Sequence, residues 1–210
     1  MNIHTIILAA GEGSRMKSKR AKSLQRVGGK TMLEMICKTA ESISAKITLI
    51  VGFDKNSIIN ESKSFDFEIS TCEQASPIGT GDAVKCGINE VDDADKVLVL
   101  YGDVPLIKKE TLENLVSTDD KSLTILSTKV DNPFGYGRVK KDNDGNVTQI
   151  IEEKDASNAD KKISEIFTGI LCCNKILLAE ALKEIKNDNA AGEYYLTCLL
   201  YTSPSPRDLD

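Results

Sequence analysis

The sequence contains no tryptophan, one histidine and five prolines, and aromatic residues make up only 5% of its 210 positions. With His4 the sole imidazole, a Ser-His-Asp or Cys-His mechanism and a histidine-rich metal centre are excluded. His4, near the start of the first apolar run, reads as structural. The shortage of aromatics removes the stacking platforms that hold single-stranded nucleic acid. No apolar run approaches the roughly 18 residues of a membrane helix, and the opening MNIHTIILAAGEG lacks the n-region and cleavage site of a secretory signal. A cytoplasmic location with no membrane partner is expected. The six cysteines include no C-x-x-C pair, so they are expected as small reduced core residues, not a disulfide frame or zinc site. Chemistry here must run on lysine, arginine, carboxylates and backbone amides.

What is present suits a mildly acidic globular protein: 27 Lys+Arg against 32 Asp+Glu, net charge −5, and 40% hydrophobic residues. Residues 3–10 form an apolar run ending in small residues before Gly11, a buried parallel strand feeding a loop. Met32, Leu33, Met35, Ile36, Ala40 and Ile43 recur at helical spacing behind Thr31, a candidate N-cap. Strands are expected at 46–51, weakly at 67–70, and at 96–101, where KVLVLY stops at Gly102-Asp103. Helices are expected from about Asp54 and around 83–91. This alternation argues for a Rossmann-like, doubly wound, mostly parallel α/β sheet with ligands at the carboxyl ends of its strands. After residue 121 the pattern turns β-rich: 124–128, 137–141, 147–153 and 165–173 read as strands, with a turn at 142–146, then a helix over 175–185. Residues 1–121 are therefore expected as a nucleotide-binding part and 122–197 as a smaller β-rich lobe. Residues 198–210, CLLYTSPSPRDLD, switch composition to Ser/Pro/Arg and are expected as a non-native tail with no packed role.

Two loops carry chemical promise. LAAGEGSRM at 8–16 sets glycines two apart directly behind a strand, where backbone can approach a ligand closely. It is not the dinucleotide fingerprint, whose third glycine is replaced by Met16, and Gly29-Lys30-Thr31 is not a P-loop, because Leu24 stands where its first glycine belongs. From Arg15 to Lys30 there are seven cations and no acid, as a triphosphate demands. Asp103 places a carboxylate at a central strand end, fit for a hard divalent cation held partly by substrate phosphates. Gln74 offers an amide to a base edge, and Gly79-Thr80-Gly81 offers backbone N–H groups to ribose or phosphate.

Together LAAGEGSRM, Lys22, the 74–81 loop with GTGDA, LYGDVPL, FGYGRV, IIEEKDA and NAAGEYYLT resemble, in order and spacing, a known family. It is the uridylyltransferase domain of the bifunctional UDP-N-acetylglucosamine pyrophosphorylase/glucosamine-1-phosphate N-acetyltransferase. The resemblance covers residues 3–197 and implies the nucleotide-diphospho-sugar transferase fold. It implies UTP and N-acetylglucosamine 1-phosphate as substrates, with Mg²⁺ as cofactor. Leu8, Ala9, Ala10, Gly11, Gln74, Gly79 and Thr80 would hold uridine; Arg15 and Lys22 would stabilise the phosphates. Asp103 would bind Mg²⁺, Tyr101 and Gly102 would line the site, and Gly137, Glu152 and Thr168 would border the sugar.

Three departures matter. Ala21 stands where the family has proline before the binding lysine, which is expected to loosen the loop. Phe167 replaces an asparagine that hydrogen-bonds the sugar, a loss of about 1–3 kcal/mol if the sugar hydroxyl goes unpaired. The family's second Mg²⁺ ligand and its acetyl-transferring β-helix lie beyond this sequence, as do most contacts of its trimers. Another sugar phosphate or nucleotide, or a nucleotide-binding fragment without turnover, stay open as alternatives. A nucleic-acid partner is disfavoured by the overall charge.

Overall fold

The computed structural model describes residues 1–13, 18, 20–118 and 123–202. Its elements run β1 (Ile3–Leu8), a short pair β2 (Arg26–Val27) and β3 (Lys30–Thr31), α1 (Met32–Glu41), β4 (Lys46–Val51), α2 (Lys55–Ser62), β5 (Ser70–Glu73), α3 (Thr80–Ile88), β6 (Lys96–Tyr101) and α4 (Lys109–Val116). Then follow β7 (Thr124–Lys129), β8 (Arg138–Lys141), β9 (Val147–Ile151), β10 (Glu165–Asn174), α5 (Lys175–Glu184) and α6 (Leu199–Thr202). The main sheet has the order β5-β4-β1-β6-β10-β8-β9, with β7 also on β10. β5, β4, β1 and β6 are mutually parallel, while β10 is antiparallel to β6. The chain thus moves outward from β1 in one direction, then crosses to β6 on its other side. That reversal opens a crevice at the carboxyl ends of β1 and β6, where doubly wound sheets take ligands.

Helices cover both faces. Alternate residues of each strand point to opposite sides, so Ile6, Ile50, Val97 and Val99 pack with α3 and α5 through Ala83, Val84, Leu178 and Leu182. Ile7, Leu49, Leu98 and Leu100 pack on the other side with α1, α2 and α4 through Leu33, Ile36, Ile58 and Leu112. Each such fully buried aliphatic side chain is worth about 1.5–3 kcal/mol relative to exposure. The start of α1 is set as expected, with Thr31 Oγ1 accepting from Glu34 N at 3.1 Å. His4 is buried and joins Thr48 Oγ1 at 2.8 Å, and burial first, then the Lys46 charge, holds its pKa below the usual imidazole value.

Several expectations shift. The weak strand lies at Ser70–Glu73, not 67–70, because Phe67 stacks on Phe65 at 5.6 Å and carries Lys38 Nζ at 5.2 Å over its ring. α4 adds a helix that no expectation covered. β10 joins the β-rich part to the parallel half as one continuous sheet. Cys37, Cys172 and Cys173 are buried as expected, whereas Cys72, Cys86 and Cys198 are only partly so; all six are free thiols. Leu199 is 1% exposed and belongs to the α3–α5 core, which corrects the expectation that nothing from Cys198 onward packs. Residues 203–210 lie outside the described residues. Among the described residues no helix is long and apolar enough to cross a membrane.

Candidate functional site

The crevice is built from strand ends stitched together by backbone. Ala9 N donates to Ile50 O at 2.9 Å, Phe53 N to Ala10 O at 3.0 Å, Gly102 N to Leu8 O at 3.0 Å and Gln74 N to Val51 O at 2.8 Å. On this floor sits a cavity of about 310 Å³ lined by Leu8, Ala9, Ala10, Gly11, Gly13, Lys22, Ser23, Gln74, Pro77, Gly79, Thr80, Ala83, Tyr101, Asp103 and Glu193. Every residue expected to hold uridine is among them. A second cavity, about 670 Å³, adjoins it and includes Phe134, Gly137, Glu152, Phe167, Thr168, Tyr195 and Thr197. Lys22, Thr80, Tyr101, Asp103 and Glu193 line both.

Charge concentrates at the junction. Lys22 Nζ donates to Asp103 Oδ2 in a partly exposed ion pair. Lys22 arrives there on a short turn, with Leu24 N on Ala21 O at 3.0 Å and Gln25 N on Lys22 O at 3.1 Å, anchored by buried Ala21 and Leu24. Arg15, Lys17 and Lys19 lie outside the described residues. Of the described cations in the basic run, only Lys22 lines these cavities; Arg26 Nη1 donates to Gly29 O at 2.6 Å and Lys30 Nζ to Glu34 Oε1 at 2.7 Å.

The Gln74 amide is engaged within the protein, Nε2 donating to Gly79 O at 3.1 Å and to Asp82 Oδ2 at 2.8 Å. That corrects the expectation of a free donor–acceptor pair facing a base, because the donor end instead holds the turn entering α3. Thr80 Oγ1 likewise accepts from Leu196 N at 3.1 Å and shares a hydrogen bond with the Tyr101 hydroxyl. The glycines of this turn serve a chain crossing. Gly81 N donates to Tyr194 O at 2.7 Å and Tyr194 N to Ile78 O at 2.9 Å. A Cβ on Gly79, at φ +128°, would lie 2.7 Å from Tyr194 N and closer still to its carbonyl oxygen. Residues 194–197 therefore form a strap across the Gly79-Thr80-Gly81 turn. Glu193, Tyr195 and Thr197 were not expected in the site; the GEYYLT motif that carries them was the only signal, and it named no role.

On the far side Thr197 Oγ1 donates to Glu152 Oε1 at 3.0 Å. Burial pushes the Glu152 carboxyl above the usual range; the Thr197 bond opposes this and Asp155 and Glu193 reinforce it. Burial first, then neighbouring Glu152, raises Tyr101 as well, and burial with Glu193, Asp155 and Glu152 brings Tyr195 up to about 12. Gly137 lies against Glu152, Oε1 standing 3.6 Å from where its Cβ would be. Thr168 Oγ1 donates to Leu126 O at 2.7 Å, so its hydrogen is committed to the backbone of β7. Phe167 is 6% exposed, packing in the core while lining the second cavity. Gly102 departs from expectation: it lines neither cavity, because it is buried with Ser23 Cβ and Ala9 Cβ 3.1 and 3.3 Å from its Cβ position.

The loop over 132–137 is clamped by Arg138, 1% exposed, whose Nη2 donates to Glu153 Oε2 at 2.6 Å while Nη1 meets Tyr136 O. Gly135 N donates to the same Glu153 oxygen at 3.1 Å. No cluster of three or more His, Cys, Asp or Glu suited to a metal occurs among the described residues. Asp103 and Glu193 are the carboxylates that line both cavities, and a hard oxygen such as that of Asp103 fits an ion whose other ligands are phosphate oxygens and water.

A doubly wound sheet with a two-chambered cleft at its switch point, charged where the chambers meet, defines an α/β domain of the class that takes ligands where its strand order reverses. The fold matches that of a solved structure, "The Crystal Structure of UDP-glucose pyrophosphorylase complexed with UDP-glucose", at a TM-score of 0.77 and 15% identity, over 96% of this chain and 86% of that one. Residues 5–156 match the family described as MobA-like NTP transferase domain, and the chain belongs to that family. It is 44% identical over 194 residues to the "Bifunctional protein GlmU" of Psychrobacter sp. (strain PRwf-1), covering 92% of this chain and 42% of that protein. It is also 44% identical over 201 residues to the protein of the same name from Alcanivorax borkumensis, covering 95% and 44% respectively. The chain thus spans less than half the length of these relatives.

Proposed function

We propose that this domain transfers a uridylyl group from UTP to N-acetylglucosamine 1-phosphate, releasing pyrophosphate and UDP-N-acetylglucosamine, in the cytoplasm. The observation that carries the proposal is the pair of cavities meeting at Lys22 and Asp103. A nucleoside fits the small, glycine-floored cavity, a sugar fits the larger one with its Glu152 acceptor, and the phosphates meet at the charged junction. The resemblance to the uridylyltransferase domain and the 44% identity to the proteins named GlmU support the same assignment.

The attacking atom is a phosphate oxygen of the sugar phosphate, which adds in line to the α-phosphorus as the bond to pyrophosphate breaks. That oxygen is ionised at neutral pH, so no general base is needed, in keeping with a chain whose one histidine is buried elsewhere. Lys22 offsets charge growing on the phosphates, and the two cavity walls align donor and acceptor. Asp103 would hold Mg²⁺, which when bound neutralises phosphate charge. For this, the Lys22–Asp103 pair must open or be shared as substrate enters. Arg15, outside the described residues, is assigned to the phosphates by resemblance alone.

A second reading keeps the chemistry and changes the sugar, favoured by Phe167, which presents carbon to the second cavity where the family has a hydrogen-bonding amide. Magnesium-dependent pyrophosphate release from UTP with N-acetylglucosamine 1-phosphate, glucose 1-phosphate and mannose 1-phosphate separates the two. Release with the first alone supports the proposal, release with another sugar supports the second reading, and silence with all three overturns both.

A further inference from the structure

We propose that Asp54 is a positioning residue for Lys22: its carboxylate holds Ala21 in the backbone shape that proline imposes in the resembled family. Ala21 has φ −51° and ψ 142°, inside the range that a pyrrolidine ring enforces. An alanine here gains freedom in the unfolded chain and, unlike proline, carries an N–H to satisfy. Ala21 is fully buried, so water does not meet that requirement. Asp54 Oδ2 meets it, accepting from Ala21 N at 3.1 Å across 33 residues of sequence.

The local structure of Asp54 is organised for this contact. It stands at the N-cap of α2, where a carboxylate ordinarily accepts from the helix's own first N–H groups. Its side chain makes no such bond. It also holds φ +55°, and it is the one non-glycine residue with positive φ among the described residues, a conformation that costs most side chains about 1 kcal/mol but that aspartate tolerates. Its neighbour Phe53 donates to Ala10 O at 3.0 Å, tying the same loop to the nucleotide floor. Asp54 is thus a strained residue whose carboxylate leaves its own helix uncapped and instead accepts from the amide of the residue that precedes the junction lysine. The consequence is a lysine aimed as tightly as in a proline-bearing loop, which corrects the expectation that Ala21 loosens it.

The link to catalysis rests on the transferase reading above; the clamp itself does not. Amide hydrogen exchange at Ala21 reads the clamp directly. Exchange about tenfold faster in Asp54→Gly, which keeps the φ +55° conformation available, supports it, and unchanged exchange overturns it whatever the activity. The link to Lys22 is read by a double-mutant cycle on pyrophosphate release. Asp54→Gly is expected to lower kcat about ten- to a hundredfold with the KM for UTP nearly unchanged, because the other walls of the uridine cavity keep their place while the lysine is misplaced. Asp54→Asn, which keeps an acceptor oxygen, should recover most of the loss. In an Ala21→Pro background, which has no N–H to hold, Asp54→Gly should cost less than about twofold. Equal losses in both backgrounds, or equal changes in KM and kcat, would refute a positioning role. Should Ala21→Pro not fold, failure of Asp54→Asn to recover kcat does so instead. A wild-type chain that releases no pyrophosphate defeats the transferase reading and leaves the exchange result standing.

Discussion

Replacing Gly79 by alanine tests the strap against the simpler idea that the Gly79-Thr80-Gly81 turn is glycine-rich only to admit a ligand. The perturbation has two parts. At φ +128° an L side chain is strained by about 1–3 kcal/mol. The new Cβ also falls 2.7 Å from Tyr194 N and nearer to Tyr194 O, backbone atoms that cannot rotate away, an overpacking cost of about 1–3 kcal/mol. One backbone shift relieves part of both, so the expected loss is about 3 kcal/mol, or roughly 6–12 °C in Tm for a chain this size. Gly145→Ala is the control, because Gly145 also has positive φ, +87°, yet has open space around its Cβ position; it should lose only about 1 kcal/mol. Urea unfolding of both variants gives the comparison, and exchange at the Gly81 amide, bonded to Tyr194 O at 2.7 Å, locates the damage. If Gly79→Ala is no more destabilised than Gly145→Ala, the strap does not press on this turn and the reading is wrong.

Other outcomes follow from the same geometry. Glu152, raised by burial, binds its proton more tightly folded than unfolded. Its contribution to stability is therefore largest below the usual carboxylate pKa and declines as pH rises through the folded value. Glu152→Gln, which still accepts from Thr197, should be more stable than wild type at pH 7 in thermal melts, with the gap closing toward pH 4; a gap that widens in acid would contradict this. Arg138→Met strands Tyr136 O and Glu153 and should lower Tm by about 5 °C or more, while Arg138→Lys should raise the KM for the sugar phosphate and leave that for UTP alone. Lys22→Ala should cut kcat by about 10²- to 10³-fold, by analogy with loss of one preorganised donor, and activity within about threefold of wild type would remove its role.

The parts of the fold legible in the sequence were those whose burial is set by their own residues. β1, β4 and β6 are largely apolar runs because they are covered on both faces, and Asp103 could be placed because a strand end precedes it, whereas Lys22 was singled out from seven cations only by the family resemblance. β5 was placed three residues early: STCE is an edge strand in which only Cys72 is partly buried, so its alternation is faint, whereas the Phe65 and Phe67 pair imitates a strand while stacking in a loop. α4 buries Leu112, Leu115 and Val116, as many residues as the expected α5 does, so its helical spacing was legible and was passed over. The strap was invisible for a different reason. Its contacts to Ile78 and Gly81 are backbone to backbone and leave no side-chain pattern, so the glycines opposite it were read as ligand contacts. Ala21 and Asp54 meet only after folding, and neither residue type marks the contact.

The position of UDP-N-acetylglucosamine in a co-crystal tests most directly whether one ligand spans both cavities. The uracil should rest between the Ala9, Ala10 and Gly11 floor and Gln74, the diphosphate beside Lys22 and Asp103, and the sugar against Gly137 and Glu152. A ligand bound in the reverse sense, or outside the two cavities, would contradict a transfer site at their junction.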